Sequence, residues 1–196
     1  MRTTKLHPEL IGPLLLVGLM VVLQTLPDTW QGLLRYERSA VNGGEIWRLL
    51  TANFIHLGWA HLALNAAALL VMVSLFTGER PPLGWGVDLV ICGVVCSTGL
   101  YLFSPEVHWV VGLSGALHGL FLVGACCWIA AGSRVGWVLA IGVCAKVAGE
   151  QAFGEMPFSG EIVGGAVVTD AHLWGLIGGV ITVGADFLWR RLKARL

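Results

Sequence analysis

Long runs of apolar residues, separated by short polar stretches, recur along the whole chain. Six of these runs approach the roughly 20 residues that an α-helix needs to cross the hydrocarbon core of a bilayer. We place the six predicted helices near residues 10–27, 57–77, 87–104, 111–131, 136–153 and 168–189. The third and fifth runs are the least uniform, because Asp88 lies in one and Lys146 and Glu150 lie in the other. The pattern predicts an all-α polytopic membrane protein, a bundle of six transmembrane helices.

The composition favours a membrane protein over a soluble one. Of the 196 residues, 56% are hydrophobic and 12% are charged, and the mean hydropathy is +0.78. A soluble domain usually carries about twice that charged fraction. The length suits a single domain, residues 1–196, and a net charge of zero gives no reason to expect a nucleic-acid partner. The five cysteines lie in apolar runs without a CxxC spacing, so we expect them to pack between helices rather than form disulfides or metal sites.

The positions of Lys and Arg predict the orientation of the chain. Basic residues precede the first predicted helix and follow the second, fourth and sixth: Arg2, Lys5, Arg80, Arg134, Arg190, Arg191, Lys193 and Arg195. On the other side they occur only in the first loop, at Arg35, Arg38 and Arg48. Because cytoplasmic loops are enriched in Lys and Arg, both termini are expected in the cytoplasm. The first run lacks a small-residue cleavage site before Asp28, so we expect a retained helix rather than a signal peptide.

Several polar side chains lie where the hydrocarbon layer would make them costly, and such residues are functional candidates. They are His56, His61 and Asn65 around the second predicted helix, Ser114 and His118 in the fourth, and Asp170 and His172 in the sixth. Counted from the basic residue at the inner end of the same helix, His61, Ser114 and His172 each lie roughly 27–30 Å along the helix axis. We therefore expect these three residues to meet at one height, in the outer part of the membrane.

Small residues beside these candidates indicate how the helices approach each other. Gly115 and Gly119 form a GxxxG pair next to Ser114, and Gly175 and Gly179 form another on the His172 face. Such pairs let helix backbones come close together in lipid. The spacing predicts a contact between the fourth and sixth predicted helices at the level of Ser114.

A serine and a histidine at one height predict acyl-transfer chemistry, because serine becomes a good nucleophile when a neighbouring base takes its proton. Asp170 lies two residues before His172, about 200° away around a helix, so the two side chains cannot pair directly. We therefore expect a Ser114–His172 dyad rather than a triad, with Asp170 as a rim or cap residue. His118, one turn after Ser114, is placed to stack against His172 or hydrogen-bond to it.

The remaining polar residues predict an oxyanion site rather than a metal site. His61 and Asn65 project from one helix face and, with the backbone N–H of Ser114, form a candidate oxyanion hole. The alternatives are interhelical hydrogen bonding for Asn65 and a hydrogen bond to a backbone carbonyl for His118. HExxH is absent, so we expect neither a metal ion nor another cofactor. His56 is expected to brace the first loop.

These residues carry a resemblance to a known family. Trp47-Arg48, followed by Thr51, Phe54, His56, His61 and Asn65, resembles the WR…H…HxxxN region of rhomboid proteases, Gly112-Leu113-Ser114-Gly115 resembles their GxSG motif, and Ala171-His172-Leu173-Trp174-Gly175 resembles their AHxxG motif. The resemblance runs from about Glu45 to Gly179 and implies a rhomboid-like bundle acting as a serine-type intramembrane endopeptidase. It implies that Ser114 is the nucleophile, that His172 is the base, and that His61, Asn65 and the Ser114 amide form the oxyanion site. We add Gly112 and His118 as candidate oxyanion or substrate-binding residues.

One position departs from most rhomboids, which carry tyrosine where this chain has His118. The run from Gly112 to Gly119 resembles the rhombosortases, a bacterial subfamily paired with secreted proteins that end in a Gly-Gly motif, a hydrophobic helix and a basic cluster. The resemblance implies removal of that C-terminal tail helix at the outer, periplasmic side of the bacterial inner membrane. It also suggests transfer of the new C-terminus to a lipid-linked amine in place of water.

The sequence also predicts two moving elements and leaves three alternative functions open. The loop from Gly154 to Gly165 is a predicted mobile lid, and the fifth predicted helix is a predicted gate unless Lys146 and Glu150 lock it by pairing one turn apart. The rivals are a rhomboid protease that cleaves ordinary single-span proteins, an inactive rhomboid-like binding module, and a small transporter.

Overall fold

The structure is a computed structural model that describes residues 8–194. Arg2, Lys5 and Arg195, which entered the prediction of orientation, lie outside the described residues. The helices are α1 (Ile11–Gln24), α2 (Asp28–Leu34), α3 (Arg38–Asn42), α4 (Arg48–Thr51), α5 (Trp59–Leu75), α6 (Pro82–Phe103), α7 (Ser114–Ala130), α8 (Arg134–Phe153), α9 (Ser159–Val163) and α10 (Thr169–Lys193). Two 3₁₀ turns (Pro8–Leu10 and Ala52–Phe54) and an antiparallel pair of two-residue strands, β1 (Tyr36–Glu37) and β2 (Trp109–Val110), complete the described chain.

Each of the six predicted segments overlaps one long helix, and the chain is a multi-pass membrane protein. Helix α6 begins five residues before its predicted start, and α10 ends four residues after its predicted end. Among residues 8–194, three helices (α6, α8 and α10) are long and apolar enough to cross a bilayer. Residues Arg48–Phe54 together with α5 make a fourth candidate span if the 92° bend between them is counted within one span. The remaining two long helices, α1 and α7, have 14 and 17 residues and are shorter than a full span. The all-α bundle is therefore confirmed, whereas six transmembrane spans stay a prediction.

Two arginines organise the first loop between α1 and α5. Arg48 is 4% exposed, and it donates hydrogen bonds to the carbonyls of Gly32 and Arg35 at 2.6 and 2.8 Å. Arg38 donates to carbonyls at the end of α6, including those of Leu100 and Tyr101 at 2.7 and 2.8 Å. A buried guanidinium is tolerated here because its N–H groups have acceptors. The loop is thereby held against the segment that leads into α7.

Helix α10 packs against both α6 and α7, and glycines bring α7 and α10 into backbone contact. A Cβ atom on Gly175 would overlap the carbonyl of Gly115, and one on Gly179 would lie 2.5 Å from the carbonyl oxygen of Gly119. The predicted contact between these two GxxxG pairs is confirmed. Cys92 and Cys96 are buried beside this contact, as expected for packing residues, but Cys144 is exposed and the packing prediction is wrong for it.

An ion cluster explains the charge in the third apolar run. Asp88 is 1% exposed, and its carboxylate lies 2.6 Å from Arg80 Nε. Arg80 also bonds Asp186 on α10. A buried carboxylate is tolerated when a hydrogen-bonded cation compensates its charge, and Arg80 in the α5–α6 turn thus links Asp88 of α6 to Asp186 of α10.

Candidate active site

Ser114 is the first residue of α7, and the backbone before it turns sharply. Gly112 has φ = +116°, a conformation that favours glycine. A Cβ atom there would lie 2.5 Å from His61 Cε1, while the Gly112 N–H donates to the Ala52 carbonyl at 3.0 Å. The glycine therefore lets the chain pass between the first loop and the His61 ring. At a helix start the first N–H groups have no intrahelical acceptor, so Ser114 lies beside a site suited to negative charge.

His172, in the first turn of α10, faces Ser114. Its Nε2 lies 3.1 Å from Ser114 Oγ, within hydrogen-bond distance. The histidine is 5% exposed, and the α7–α10 glycine contact lies just below it. The structure thus brings together the two residues that the sequence placed at one height.

His118 stacks on His172, as predicted. The two ring centroids are 4.1 Å apart with 25° between the ring planes. His118 Nδ1 also lies 2.7 Å from the Ser114 carbonyl oxygen. Because a carbonyl only accepts, Nδ1 carries the proton in this contact. Both contacts predicted for His118 are therefore present: Nδ1 donates to a backbone carbonyl, and the ring face stacks on His172.

The expectation that His172 has no carboxylate partner is wrong. Glu150 Oε2 on α8 lies 2.8 Å from His172 Nδ1, and its Oε1 accepts from Lys146 Nζ at 2.8 Å. The predicted Lys146–Glu150 pair is present, but Glu150 also reaches across to α10. In the sequence the carboxylate nearest to His172 is Asp170, whereas this one comes from a different helix.

Asp170 does not face His172, as its position on the helix predicted. Its carboxylate accepts a hydrogen bond from the Ser104 hydroxyl, and Ser104 in turn accepts one from Trp174 Nε1 at 3.2 Å. These contacts tie the start of α10 to the end of α6. Asp170 therefore helps to hold the start of α10 against α6, and its position at the rim of the site stays a prediction.

His61 and Asn65 lie on one face of α5 beside Ser114. His61 Nδ1 accepts a hydrogen bond from the Leu57 N–H at 3.4 Å, so the neutral ring carries its proton on Nε2 and has a donor to offer. Asn65 is 4% exposed, and its Nδ2 has no hydrogen-bond partner among residues 8–194. His56 is buried with its ring edge against His61, at a centroid distance of 5.0 Å. Two donors of α5 are thus available beside the nucleophile.

These side chains line a cavity of about 630 Å³. Its walls include His61, Asn65, Ser114, His118 and His172, and the segment from Met156 to Val168 closes one side. That segment is not a plain loop, because it contains the short helix α9. Its mobility stays a prediction.

A second, apolar cavity of about 460 Å³ opens between α5, α7 and α8. It shares Ala68, His118 and Lys146 with the first cavity. A transmembrane segment lying between α5 and α8 would therefore approach Ser114 from the side. Gating by α8 stays a prediction.

One possible set of metal ligands is present among the described residues, and it was not expected from the sequence. One donor atom from each of His118, Glu150 and His172 lies within 4.8 Å of the others. However, these groups are already engaged. Both His172 nitrogens face partners, His118 Nδ1 bonds the Ser114 carbonyl, and Glu150 bonds Lys146. The arrangement fits proton transfer along hydrogen bonds better than coordination of an ion.

The chain matches a protein-family model and several known proteins. Residues 43–188 match the family model described as "Rhomboid domain". The chain is 32% identical over 154 residues to "Rhomboid protease GluP" of Bacillus subtilis, which covers 76% of this chain and 28% of that protein. It is 31% identical over 150 residues to "Rhomboid-like protein 11, chloroplastic" of Arabidopsis thaliana, covering 70% of this chain and 51% of that protein. The chain therefore spans about half, or less, of the length of these two relatives.

Proposed function

This chain belongs to the rhomboid family, and on that premise we propose that it is an intramembrane serine endopeptidase with Ser114 as nucleophile and His172 as general base. The observation that carries the proposal is the 3.1 Å approach of His172 Nε2 to Ser114 Oγ, on the wall of a cavity. The named relative "Rhomboid protease GluP" supports the same activity. We take the chain as one membrane-embedded domain of six spans, with both termini in the cytoplasm and the cavity opening to the periplasmic side.

The reaction follows from the positions of these groups. A substrate helix lies in the apolar cavity between α5 and α8 and unwinds where its sequence allows, which is easiest at glycines. Ser114 Oγ attacks the exposed carbonyl while His172 Nε2 takes the hydroxyl proton. Negative charge then develops on the carbonyl oxygen beside the start of α7, His61 Nε2 and Asn65 Nδ2. His172 returns the proton to the leaving amine, and water or an amine releases the acyl-enzyme.

The substrate class in this proposal is a C-terminal sorting tail of Gly-Gly, a hydrophobic helix and a basic cluster. His118, stacked on His172, carries the resemblance to rhombosortases that suggests this class. A Gly-Gly segment costs little to unwind at the level of Ser114. The alternative is a rhomboid protease that acts on ordinary single-span proteins.

Two co-expressed reporters separate these substrate classes. One carries the Gly-Gly/hydrophobic/basic tail and the other a conventional single-span helix, and intact mass spectrometry identifies the products. We expect cleavage of the tail reporter at or near its glycines, with a product mass that distinguishes water from an amine acceptor. Cleavage of only the conventional helix would retain the mechanism and discard the sorting role. Cleavage of neither, together with no labelling of Ser114 by a fluorophosphonate, would favour an inactive binding module or a transporter.

Asn65 offers a test of the oxyanion site. Replacing it with alanine removes one unpartnered donor, so we expect kcat on the cleaved reporter to fall by about 10²- to 10³-fold with little change in KM. The matched control is Ser74→Ala, which removes a polar group from the same helix where its hydroxyl bonds only the Leu70 carbonyl. An equal fall in both variants, or a rise in KM alone, would show that Asn65 holds helices together instead.

A further inference from the structure

We infer that Glu150 is the positioning carboxylate of a Ser114–His172–Glu150 triad, an inference that rests on the proposed protease function. The three groups come from three different helices, α7, α10 and α8. Two hydrogen-bond distances connect the three side chains: 3.1 Å from Ser114 Oγ to His172 Nε2 and 2.8 Å from His172 Nδ1 to Glu150 Oε2. The side chains of His172 and Glu150 are 7% and 3% exposed, so water competes little for these contacts.

The carboxylate determines which nitrogen of His172 carries the proton. An ionised carboxylate only accepts, so its partner Nδ1 must donate. The neutral ring then presents an unprotonated Nε2 to the Ser114 hydroxyl, which is the tautomer that a general base requires. The stacked His118 ring restrains the tilt of His172 but offers no acceptor to Nδ1, and Asp170 is bonded to Ser104. Glu150 is therefore the group that selects the reactive tautomer.

The same contact stabilises the charge that forms during the reaction. When Ser114 attacks, its hydroxyl proton moves to Nε2 and His172 becomes a buried imidazolium, while the Nδ1 proton stays where it is. A buried cation is costly without a partner, and the Glu150 carboxylate 2.8 Å away supplies one. The carboxylate itself remains unprotonated, and His172 later gives the Nε2 proton to the leaving amine.

Lys146 completes the arrangement. Before the reaction His172 is neutral, and a lone carboxylate in this position would itself be an uncompensated buried charge. Lys146 Nζ, 2.8 Å from Glu150 Oε1, provides the countercharge from a side chain that is 39% exposed and lines the apolar cavity. The ion pair with Lys146 thus stabilises the ionised Glu150 carboxylate beside His172 before the reaction begins.

The test compares Glu150→Gln and Glu150→Asp in the full chain in detergent. Glutamine has nearly the same shape but is neutral and can donate to Nδ1, which favours the wrong tautomer. We expect kcat to fall by about 10²- to 10⁴-fold with KM changed little, and the rate of Ser114 labelling by a fluorophosphonate to fall in parallel. Glu150→Asp keeps the negative charge, but its shorter side chain ends farther from Nδ1. We expect its kcat to be at least about tenfold higher than that of Glu150→Gln.

Two further measurements separate positioning from a structural role. Asp88→Asn makes the same chemical change at another buried, ion-paired carboxylate, and we expect its kcat to stay within about threefold of the wild type despite a loss of stability. In protein with ¹⁵N-labelled histidine, the Nδ1–H proton of His172 should resonate far downfield and move upfield in Glu150→Gln. Wild-type rates in Glu150→Gln, an equal loss in Asp88→Asn, or no recovery in Glu150→Asp would each overturn the inference.

Failure of the proposed function has a different signature. In that case the wild type itself neither cleaves a reporter nor reacts with the fluorophosphonate, whatever stands at residue 150. If Glu150→Gln does not fold, the comparison of Glu150→Asp with the wild type decides. A folded Glu150→Asp that cleaves and labels at the wild-type rate although its His172 Nδ1–H proton no longer resonates far downfield would overturn the triad.

Discussion

Replacing Ser114 with alanine is expected to reduce reporter cleavage by about 10⁴- to 10⁶-fold, to the limit of detection. Alanine removes only the side-chain hydroxyl and keeps the backbone N–H that the mechanism also uses, and it is well tolerated in a helix. The fold should therefore be unchanged, with a thermal unfolding midpoint in detergent close to that of the wild type. The measurement is single-turnover cleavage of the reporter, together with mass spectrometry of a fluorophosphonate adduct.

His172→Ala is the companion variant, and its effect is not additive with that of Ser114→Ala. Residues that act as a unit lose nearly all of their contribution when either one is removed, so the double variant should be no slower than the worse single variant. Ser133→Ala is the matched control. Ser133 lies in the turn between α7 and α8, and Ser114 lies at the other end of α7. Cleavage that persists in Ser114→Ala at more than about 1% of the wild-type rate would contradict the assignment of the nucleophile.

Replacing Gly175 with valine is expected to cost about 3 kcal/mol or more of folding free energy and to abolish activity. Even one Cβ atom at this position would overlap the Gly115 carbonyl, and a β-branched side chain adds two methyl groups. Helices α7 and α10 would have to separate, and Ser114 and His172 lie on these two helices. The measurement is unfolding in mixed micelles at increasing SDS fraction, with reporter cleavage recorded on the same samples.

Gly184→Val is the matched control for this substitution. Gly184 lies on the same helix, two to three turns further along, and a Cβ atom there would meet nothing within 4 Å. We expect nearly wild-type stability and activity, since the helix propensity of valine is no worse than that of glycine. Equal losses of stability and cleavage in the two variants would mean that valine disturbs α10 itself and that the contact of Gly175 with α7 is not what matters.

Much of the site could be predicted from the sequence because each prediction depended on local spacing. His61, Ser114 and His172 lie at similar counted depths, and a rise of 1.5 Å per residue turns those counts into a common height. The two GxxxG pairs pointed to the helices that touch. Helix α7 is shorter than predicted for a local reason as well, because the turn at Gly112 delays its start to Ser114, three residues after the predicted start at residue 111.

The role of Glu150 was missed because no local rule relates it to His172. The two residues are 22 positions apart on different helices, and the i, i+4 rule paired Glu150 with Lys146 instead. A signal was nevertheless present. Glu150 lies roughly 24 Å along its helix from Arg134, a depth close to that of Ser114. A carboxylate at the height of the nucleophile was a candidate partner, but depth alone does not tell which way a helix faces.

The sequence by itself determined the membrane class, the helical segments, the pair Ser114 and His172, and the glycine contact between their helices. Those features follow from hydropathy, helix periodicity and residue size, which act along one stretch of chain. The tertiary structure decided which carboxylate reaches His172, where His118 stacks, and that an apolar cavity between α5 and α8 adjoins the cavity at Ser114. Those features depend on how each helix is rotated about its axis, and that rotation is set by the packing of all its neighbours at once.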